Sequence, residues 1–498
     1  MGLKSFLGIQ YARWKNRQNA WWINNPIESQ EKVFKELVAK GKTTAFGQDH
    51  AFDTIHSYQN FKALVPIRDY EDIKPYIERM LKGEKNILWP GLPLYFCKTS
   101  GTTSGTKYIP ISKESMPYQL QCAKDAILNY IHETSDARFL NGKNIFIQGS
   151  PELDFSESAP LGRLSGIVAH HLPWYLQKNN TPTFETNCIE DWEKKIDAII
   201  DETVSENMTL ISGIPPWVQM YFERLCEKTG KSIKEVFPNY NLFIYGGVNF
   251  EPYKKRFVEL VGKDVPSIET YPASEGFIAY QDQQNSEGLL LCVNHGIFYE
   301  FIEASQFFEE KPQRISLKDV ELNKDYAVIL NTNAGLWGYN IGDTVRFVSK
   351  FPFRIVVSGR IKHFTSAFGE HVIGKEVEEA MNETIKKYDT VIGEFHVAPQ
   401  VNPESGLPYH EWFIEFKKTP SDERAFARDL DRAMQGQNTY YKDLILGNIL
   451  RPLVISRVKK GGFVNYMKDE GKLGGQNKPP RLSNNRKLAN RLTQYLND

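Results

Sequence analysis

The sequence has no run of about eighteen apolar residues, which excludes a transmembrane helix at the level of sequence. The opening MGLKSF lacks the apolar core of a secretory signal. Residue 6 is Phe, where a myristoylation signal needs Ser or Thr. Cysteine is scarce: five residues in 498, with no C-x-x-C pair. That argues against a disulfide scaffold and reads as reduced thiols in a cytoplasmic protein. Neither charge sign is in excess, since 61 basic residues balance 61 acidic ones. A balanced chain gives no reason to expect a nucleic-acid partner or a membrane surface. Internal repeats and low-complexity tracts are also missing.

What is present is a long chain, sufficient for two or more domains, with aromatic residues at 13%. Its focus is residues 99–107, TSGTTSGTK. Glycines allow backbone N–H groups to approach an anion, hydroxyls add donors, and the terminal Lys107 brings a charge. Apolar residues 94–96 precede it as a strand end. Ser112 is placed to cap a helix with Met116, Leu120, Ala123 and Ile127 on one face. The expectation is therefore strand–loop–helix around a phosphate. The spacing is not that of the nucleoside-triphosphatase loop, G-x-x-x-x-G-K-[ST]. Three residues separate Gly101 from Gly105, Thr106 precedes the lysine, and Tyr108 follows it. Cys97, just before the loop, reads as a small buried side chain.

Residues 1–90 read as amphipathic helices, with a stripe at Val33, Phe34, Leu37 and Val38. A second stripe at Ile73, Ile77, Met80 and Leu81 is broken by Pro75. Trp14, Trp21 and Trp22 are expected as packing anchors. Residues 149–187 form an irregular stretch containing His170, His171, Trp174 and Tyr175. Adjacent histidines could suggest a metal, but no second ligand pair accompanies them at metal spacing, and ordinary packing or substrate-pocket lining is the expected role. Trp217, Met220, Tyr221 and Leu225 form the apolar face of a helix opened by Pro215 and Pro216. Core packing is its default role and lining of an acyl pocket the alternative. Strand–turn–helix units followed by β-rich sequence predict a large mixed α/β domain. After residue 363 an α-β-β-α-β pattern predicts a small α+β domain. The expected division is 1–357, a connector at 358–363, and 364–498.

The loop TSGTTSGTK resembles the signature loop of the acyl-adenylate-forming superfamily, where it handles the β- and γ-phosphates of ATP. The resemblance assigns Thr99, Ser100, Gly101, Thr102, Thr103, Ser104, Gly105 and Lys107 to nucleotide. Five more segments follow in that superfamily's order. Tyr245-Gly246-Gly247 resembles the turn beside adenine. Tyr271-Pro272-Ala273-Ser274-Glu275-Gly276 resembles the motif whose tyrosine stacks on adenine and whose acid helps hold Mg²⁺. Ser274 falls in that nucleotide-binding motif. Tyr339-Asn340-Ile341-Gly342-Asp343 resembles the motif whose aspartate binds the ribose. Ser358-Gly359-Arg360-Ile361-Lys362 resembles the hinge, with Arg360 near the ribose and rotation about Lys362. Gln476-Asn477-Lys478-Pro479-Pro480-Arg481 resembles the segment carrying the catalytic lysine of a mobile C-terminal domain.

Within the superfamily, the loop, Y-x-x-S-E and Y-x-x-G-D are similar to the three motifs of the plant auxin-responsive Gretchen Hagen family of acyl-acid amido synthetases. QNKPPR resembles that family's terminal lysine motif. The resemblance implies an ATP- and Mg²⁺-dependent ligase that activates a small carboxylic acid and passes it to an amine, an amino acid by preference. Lys478, Lys107 and Glu275 are then its catalytic residues. Trp174, Trp217 and Tyr221 are candidates for the acid's pocket. Two readings stay open beside it: a thioester-forming acyl-CoA ligase using the same adenylate, and a non-catalytic nucleotide- or acyl-binding relative.

Overall fold

The computed structural model describes residues 2–100, 106–172, 177–189, 191–247, 250–307, 309, 311–361, 364–365, 372–446, 450–473, 478–483 and 485–497. The chain divides into two units. The first is Met1–Val248, Leu260–Ile341 and Val345–Val356; the second is Asn249–Glu259, Gly342–Thr344 and Val357–Asp498. Two short internal segments are thus grouped with the C-terminal residues, which no division at one chain position captures. No helix among the described residues is long and apolar enough to cross a membrane.

The first unit is built on a large mixed sheet. Strands Lys143–Ile147, Met208–Gly213, Leu242–Gly246 and Ser267–Ala273 lie side by side and parallel. The helix Pro215–Thr229 connects the second to the third. The sheet then turns antiparallel through Gly276–Tyr280 and Leu289–Leu291, and continues to Phe353–Arg360 and Tyr339–Lys350. The carboxyl ends of the parallel strands are the side on which α/β sheets bind ligands.

Helices cover this unit, and several depart from expectation. The helix Tyr70–Leu81 runs straight through Pro75. Pro75 sits on the exposed side, so water can satisfy the Glu71 carbonyl that loses its N–H partner. A capping box between Asp69 and Asp72 starts the helix, and Ile73, Ile77 and Met80 bury its apolar face. Of the three N-terminal tryptophans only Trp22 is an anchor, at 3% exposed; Trp14 and Trp21 are about half exposed, at 51% and 50%. The helix Met116–Thr134 turns a partly polar strip inward: Gln119, Cys122, Asp125 and Asn129 are all buried. Leu120, Ala123 and Ile127, expected to be its core face, are only partly buried.

In the second unit, strands Val391–Gln400, Tyr409–Lys418 and Val454–Val458 form a three-stranded sheet. Both faces are covered, and the strand's period of two shows how. Trp412 and Ile414 pack with Val377, Met381, Phe426 and Leu430 from the helices Gly374–Ile385 and Glu423–Gln437. Phe413, between them, packs with Phe463, Tyr466 and Leu492 from Gly462–Asp469 and Lys487–Leu492. Residues 481–483 extend this sheet. The Val397 N–H donates to the Arg481 carbonyl at 2.9 Å, and the Ser483 N–H to the Val397 carbonyl at 3.0 Å.

Candidate active site

The strands on either side of the phosphate-type loop pair as a β-hairpin, where strand–loop–helix was expected. Tyr95–Ser100 pairs antiparallel with Thr106–Ile111, with Ser100 opposite Thr106 and Thr99 opposite Lys107. Pro110 argues against a strand in the sequence. It is tolerated because Thr106–Ile111 lies at the edge of its small sheet. Ser112 does not cap the following helix directly. It exchanges hydrogen bonds with Ser115, each backbone N–H donating to the other's hydroxyl at 2.9 Å. Gly101, Thr102, Thr103, Ser104 and Gly105 lie outside the described residues.

The alternation of a pleated ladder puts Cys97, Thr99 and Lys107 on one face. From that face the Cys97 thiol donates to the Ser274 hydroxyl at 3.1 Å. Residues 177 positions apart in sequence are thereby joined. Burial is the main reason the Cys97 thiol is pushed up to about 12, with the negative charge of Glu275 adding to it. Cys97 is therefore an inert spacer, and Glu275 stands close enough to be felt by it. The Lys107 ammonium lies 5.4 Å from the centre of the Tyr70 ring. Tyr70 in turn accepts from the Tyr108 N–H at 2.8 Å, which ties the hairpin to its helix.

Ser274 and Glu275 form the two-residue turn between Ser267–Ala273 and Gly276–Tyr280. Tyr271 pairs across that hairpin with Ala279 and is mostly buried. Gln119, from the helix behind the loop, donates to the Ala273 carbonyl at 3.2 Å. On the neighbouring parallel strand, Tyr245 pairs with Glu269 and Gly246 with Thr270. The Thr270 hydroxyl donates to the Tyr245 carbonyl at 2.9 Å. Gly246 is required by close approach: a Cβ there would stand 2.5 Å from the Thr270 carbonyl oxygen. Gly247 has φ +79°, which favours glycine. Gly213, Gly246 and Ala273 end three adjacent parallel strands, so these motifs share one rim of the sheet.

In the second unit the ribose motif and the hinge motif are tied together. The Ile361 N–H donates to the Gly342 carbonyl at 2.7 Å, beside Asp343. Ser358 donates to Thr344 at 3.0 Å. Arg360 is the last residue of the strand Phe353–Arg360. Lys362 lies outside the described residues. Lys478 is exposed, and the residues after it are firmly held. His396 donates through Nδ1 to the Pro480 carbonyl at 2.7 Å. Arg481 pairs with Glu394, lies 3.6 Å from Glu378 and donates to the Tyr253 hydroxyl at 2.9 Å. Its guanidinium also covers the Phe395 ring at 4.5 Å.

The acyl-pocket candidates fare differently. Trp174 lies outside the described residues. Trp217 packs on Trp192 with ring centres 5.0 Å apart. Tyr221 is wholly buried, and its hydroxyl shares a hydrogen bond with Thr203 at 2.7 Å. Tyr221 thus packs one helix on another and offers no surface to a ligand. The sequence reading missed Arg163. It precedes the helix Leu164–His170, and its charge is felt by Cys97. Burial lowers its pKa, and it has no carboxylate within ion-pair distance among the described residues. A single arginine in a Pro- and Ser-rich stretch carries no sequence signal.

Comparison with known proteins identifies the family and the fold. Residues 21–266 match the GH3 family N-terminal domain, 290–360 its central domain and 375–487 its C-terminal domain. A jasmonoyl–L-amino acid synthetase of Nicotiana attenuata is 22% identical over 64% of this chain and 66% of its own. The chain therefore spans just under two thirds of that relative's length. An indole-3-acetic acid-amido synthetase of Arabidopsis thaliana is 21% identical over 91% of this chain and 88% of its own. Among solved structures, a GH3.15 acyl acid amido synthetase superposes with TM-score 0.78, at 16% identity, over 95% of this chain and 94% of that one. A 2-hydroxyisobutyryl-CoA ligase gives 0.60 at 11% identity, over 94% of this chain and 90% of that one. These likenesses establish an adenylate-forming fold. With all three domains matched in order, the chain belongs to the GH3 family.

Proposed function

We propose that this chain is an ATP-dependent ligase that activates a carboxylic acid as its acyl-adenylate and transfers the acyl group to an amine, an amino acid by preference. The observation that carries the reading is the Cys97–Ser274 hydrogen bond. It brings the phosphate-type hairpin against the turn bearing Glu275. The names of the relatives, a jasmonoyl–L-amino acid synthetase and an indole-3-acetic acid-amido synthetase, support the amide-forming branch.

A carboxylate is a poor electrophile. Its oxygen attacks the α-phosphate of ATP, the bond to the β-phosphate oxygen breaks, and pyrophosphate leaves. The amine then attacks the carbonyl carbon, and AMP departs with the former acyl oxygen. Both steps concentrate negative charge, which preorganised cations and donors must meet. Lys107, with Thr99, Ser100 and the following loop amides, is assigned the departing pyrophosphate. Such a lysine at about 4 Å from a phosphate charge is worth around 4 kcal/mol at intermediate dielectric. Glu275 fits Mg²⁺ in the way nucleotide enzymes hold it, through one carboxylate with substrate phosphates completing the shell. The ion would neutralise charge on those phosphates. Tyr245, Gly246, Gly247, Tyr271 and Ser274 are assigned the adenine. Asp343 is assigned the ribose hydroxyls, with Arg360 near the sugar. Lys478 is assigned the α-phosphate and carboxylate during adenylation, and rotation about Lys362, in a hinge at 358–363, gates the second step. Five cysteines free of disulfides suit the reducing cytoplasm.

The test is a pyrophosphate-release screen over carboxylic acids, with mass spectrometry of parallel arms containing mixed amino acids or CoA. Amides in the first arm support the proposal. Thioesters in the second would reassign the chain to the CoA ligases. No pyrophosphate from any acid would make it a binding protein.

A further inference from the structure

Two pairs of side chains, each spaced by three, meet in the core of the first unit. Cys122 and Asp125 lie on one face of the helix Met116–Thr134, one turn apart. Cys292 and His295 lie on the turn after Leu289–Leu291. The two sulfurs and a ring nitrogen of His295 all lie within 4.8 Å of one another, and all three residues are buried. Asp125 Oδ2 is 4.0 Å from His295 Nε2.

Two polar atoms in this cluster are unspent. Asp125 Oδ2 and His295 Nδ1 are buried without a hydrogen-bond partner. Asp125 is 1% exposed, and a buried carboxylate oxygen with nothing to receive is costly. The walls are otherwise finished. Gln30 donates to the Val293 and Ile297 carbonyls at 2.7 and 2.8 Å, bracing the turn. Gly296 has φ +73°, and a Cβ there would run into the Asn333 amide at 2.2 Å. The Tyr299 hydroxyl donates to the Cys292 carbonyl at 3.3 Å. Trp22 and Tyr118 set ring edges against His295, with centres 5.5 and 5.4 Å away. The turn is thus held rigidly, with His295 against Cys292 and 4.0 Å from Asp125, and the hydrogen-bonding capacity of Asp125 Oδ2 stays unused.

We propose that Cys122, Cys292, His295 and Asp125 form a closed, structural zinc site that clamps the helix behind the phosphate-type loop to the central strands. Two thiolates, an imidazole and a carboxylate are a tetrahedral zinc set, and the thiolates select against Mg²⁺ and Ca²⁺. Zinc–sulfur bonds of about 2.3 Å put two sulfurs roughly 3.7 Å apart, a separation within the 4.8 Å spread of these ligand atoms. Binding releases the two thiol protons to solvent. Two thiolates and Asp125 against Zn²⁺ leave one negative charge, and Lys15, 3.9 Å from the other Asp125 oxygen, balances it. Gln121 donates to that same oxygen at 2.5 Å, leaving Oδ2 for the metal. The adjacent pair His170–His171 is not part of this set. His170 is engaged with the Pro151 carbonyl at 2.9 Å and His171 with the Tyr95 hydroxyl at 3.1 Å.

The test is metal content and affinity of the full-length chain, reduced and reconstituted with zinc. One tightly held zinc per chain is expected by elemental analysis. Substitution with Co²⁺ should give a tetrahedral spectrum with thiolate-to-cobalt charge transfer. Cys292→Ser and Asp125→Asn should each weaken zinc at least tenfold in competition with a chromogenic chelator. Wild-type chain that takes up less than stoichiometric zinc, or whose cobalt spectrum lacks the thiolate band, overturns the proposal without any variant needing to fold. So does an oxidised chain whose intact mass is lower by two hydrogens and in which Cys122 and Cys292 are joined, if that bond persists in reductant.

Discussion

Lys107 and Lys478 are assigned the two cationic roles, and the protein holds them in opposite ways. Lys107 belongs to a hairpin strand. Its position is set by register with Thr99 and by the Tyr70 ring, and its face is shared with Cys97, which is anchored on Ser274. Lys478 is exposed at the start of an irregular segment, and its position depends on Arg481 and Pro480 a few residues later. The difference teaches that one lysine is fixed by backbone pairing and the other by a side-chain clamp. A ladder tolerates loss of one side chain, whereas a clamp fails when its central arginine goes.

The largest effect is expected at the lysine held by the clamp. Lys478→Ala should cut single-turnover pyrophosphate release by roughly 10²–10³, the range seen for loss of one transition-state donor, while leaving ATP affinity unchanged. Lys107→Ala should instead weaken ATP binding as well, so equal changes in both variants would erase the contrast. Next comes the clamp itself. Arg481→Met strands Glu394 and Glu378 in a largely buried place, and should cost about 3 kcal/mol in denaturant stability. It should also slow adenylation, and a variant as stable and active as the parent would show that Lys478 needs no anchor. Gly246→Ala forces a methyl against the Thr270 carbonyl oxygen. Overpacking of this kind costs about 1–3 kcal/mol, so calorimetry should show ATP binding weakened roughly tenfold or more. Unchanged binding would remove that rim of the sheet from the site.

The smallest effect is a pH dependence in the first unit. The Lys195 ammonium donates to the Gln148 and Asn187 carbonyls at 2.9 and 2.6 Å, yet burial lowers its pKa to about 8. Its folded pKa is below its unfolded one, so between them the unfolded chain binds more protons and stability rises with pH. Between pH 8 and 9.5 the gain should be on the order of 1 kcal/mol, and Lys195→Met should flatten it. Parallel slopes for both proteins in denaturant titrations would refute the assignment.

The backbone turns of the candidate site were legible because glycine, proline and short polar motifs report backbone demands directly. Gly246 and Gly247 were read as a turn, and the structure shows a close approach at one and a positive φ at the other. The paired hairpin strand was not legible. The capping-type Ser112 pointed to a helix directly after the loop, and the strand that intervenes carries a proline, Pro110, that is harmless only at a sheet edge. The helix through Pro75 escaped for a similar reason, since nothing local says that the affected carbonyl faces water. Tyr221 shows the reverse limit. A stripe at helical spacing does not say whether a neighbouring helix or a ligand covers it, and here Thr203 answers.

The amino-acid sequence by itself determined the family and the order of its motifs, because turn, cap and loop chemistry acts over a few residues. Which side chains meet across the chain was decided by tertiary structure alone. Cys97 reaches Ser274, and Cys122 reaches Cys292 and His295, only because sheet pairing and helix packing bring segments about 170 residues apart into contact. Burial then sets the behaviour of those groups, and burial is a property of everything packed around them.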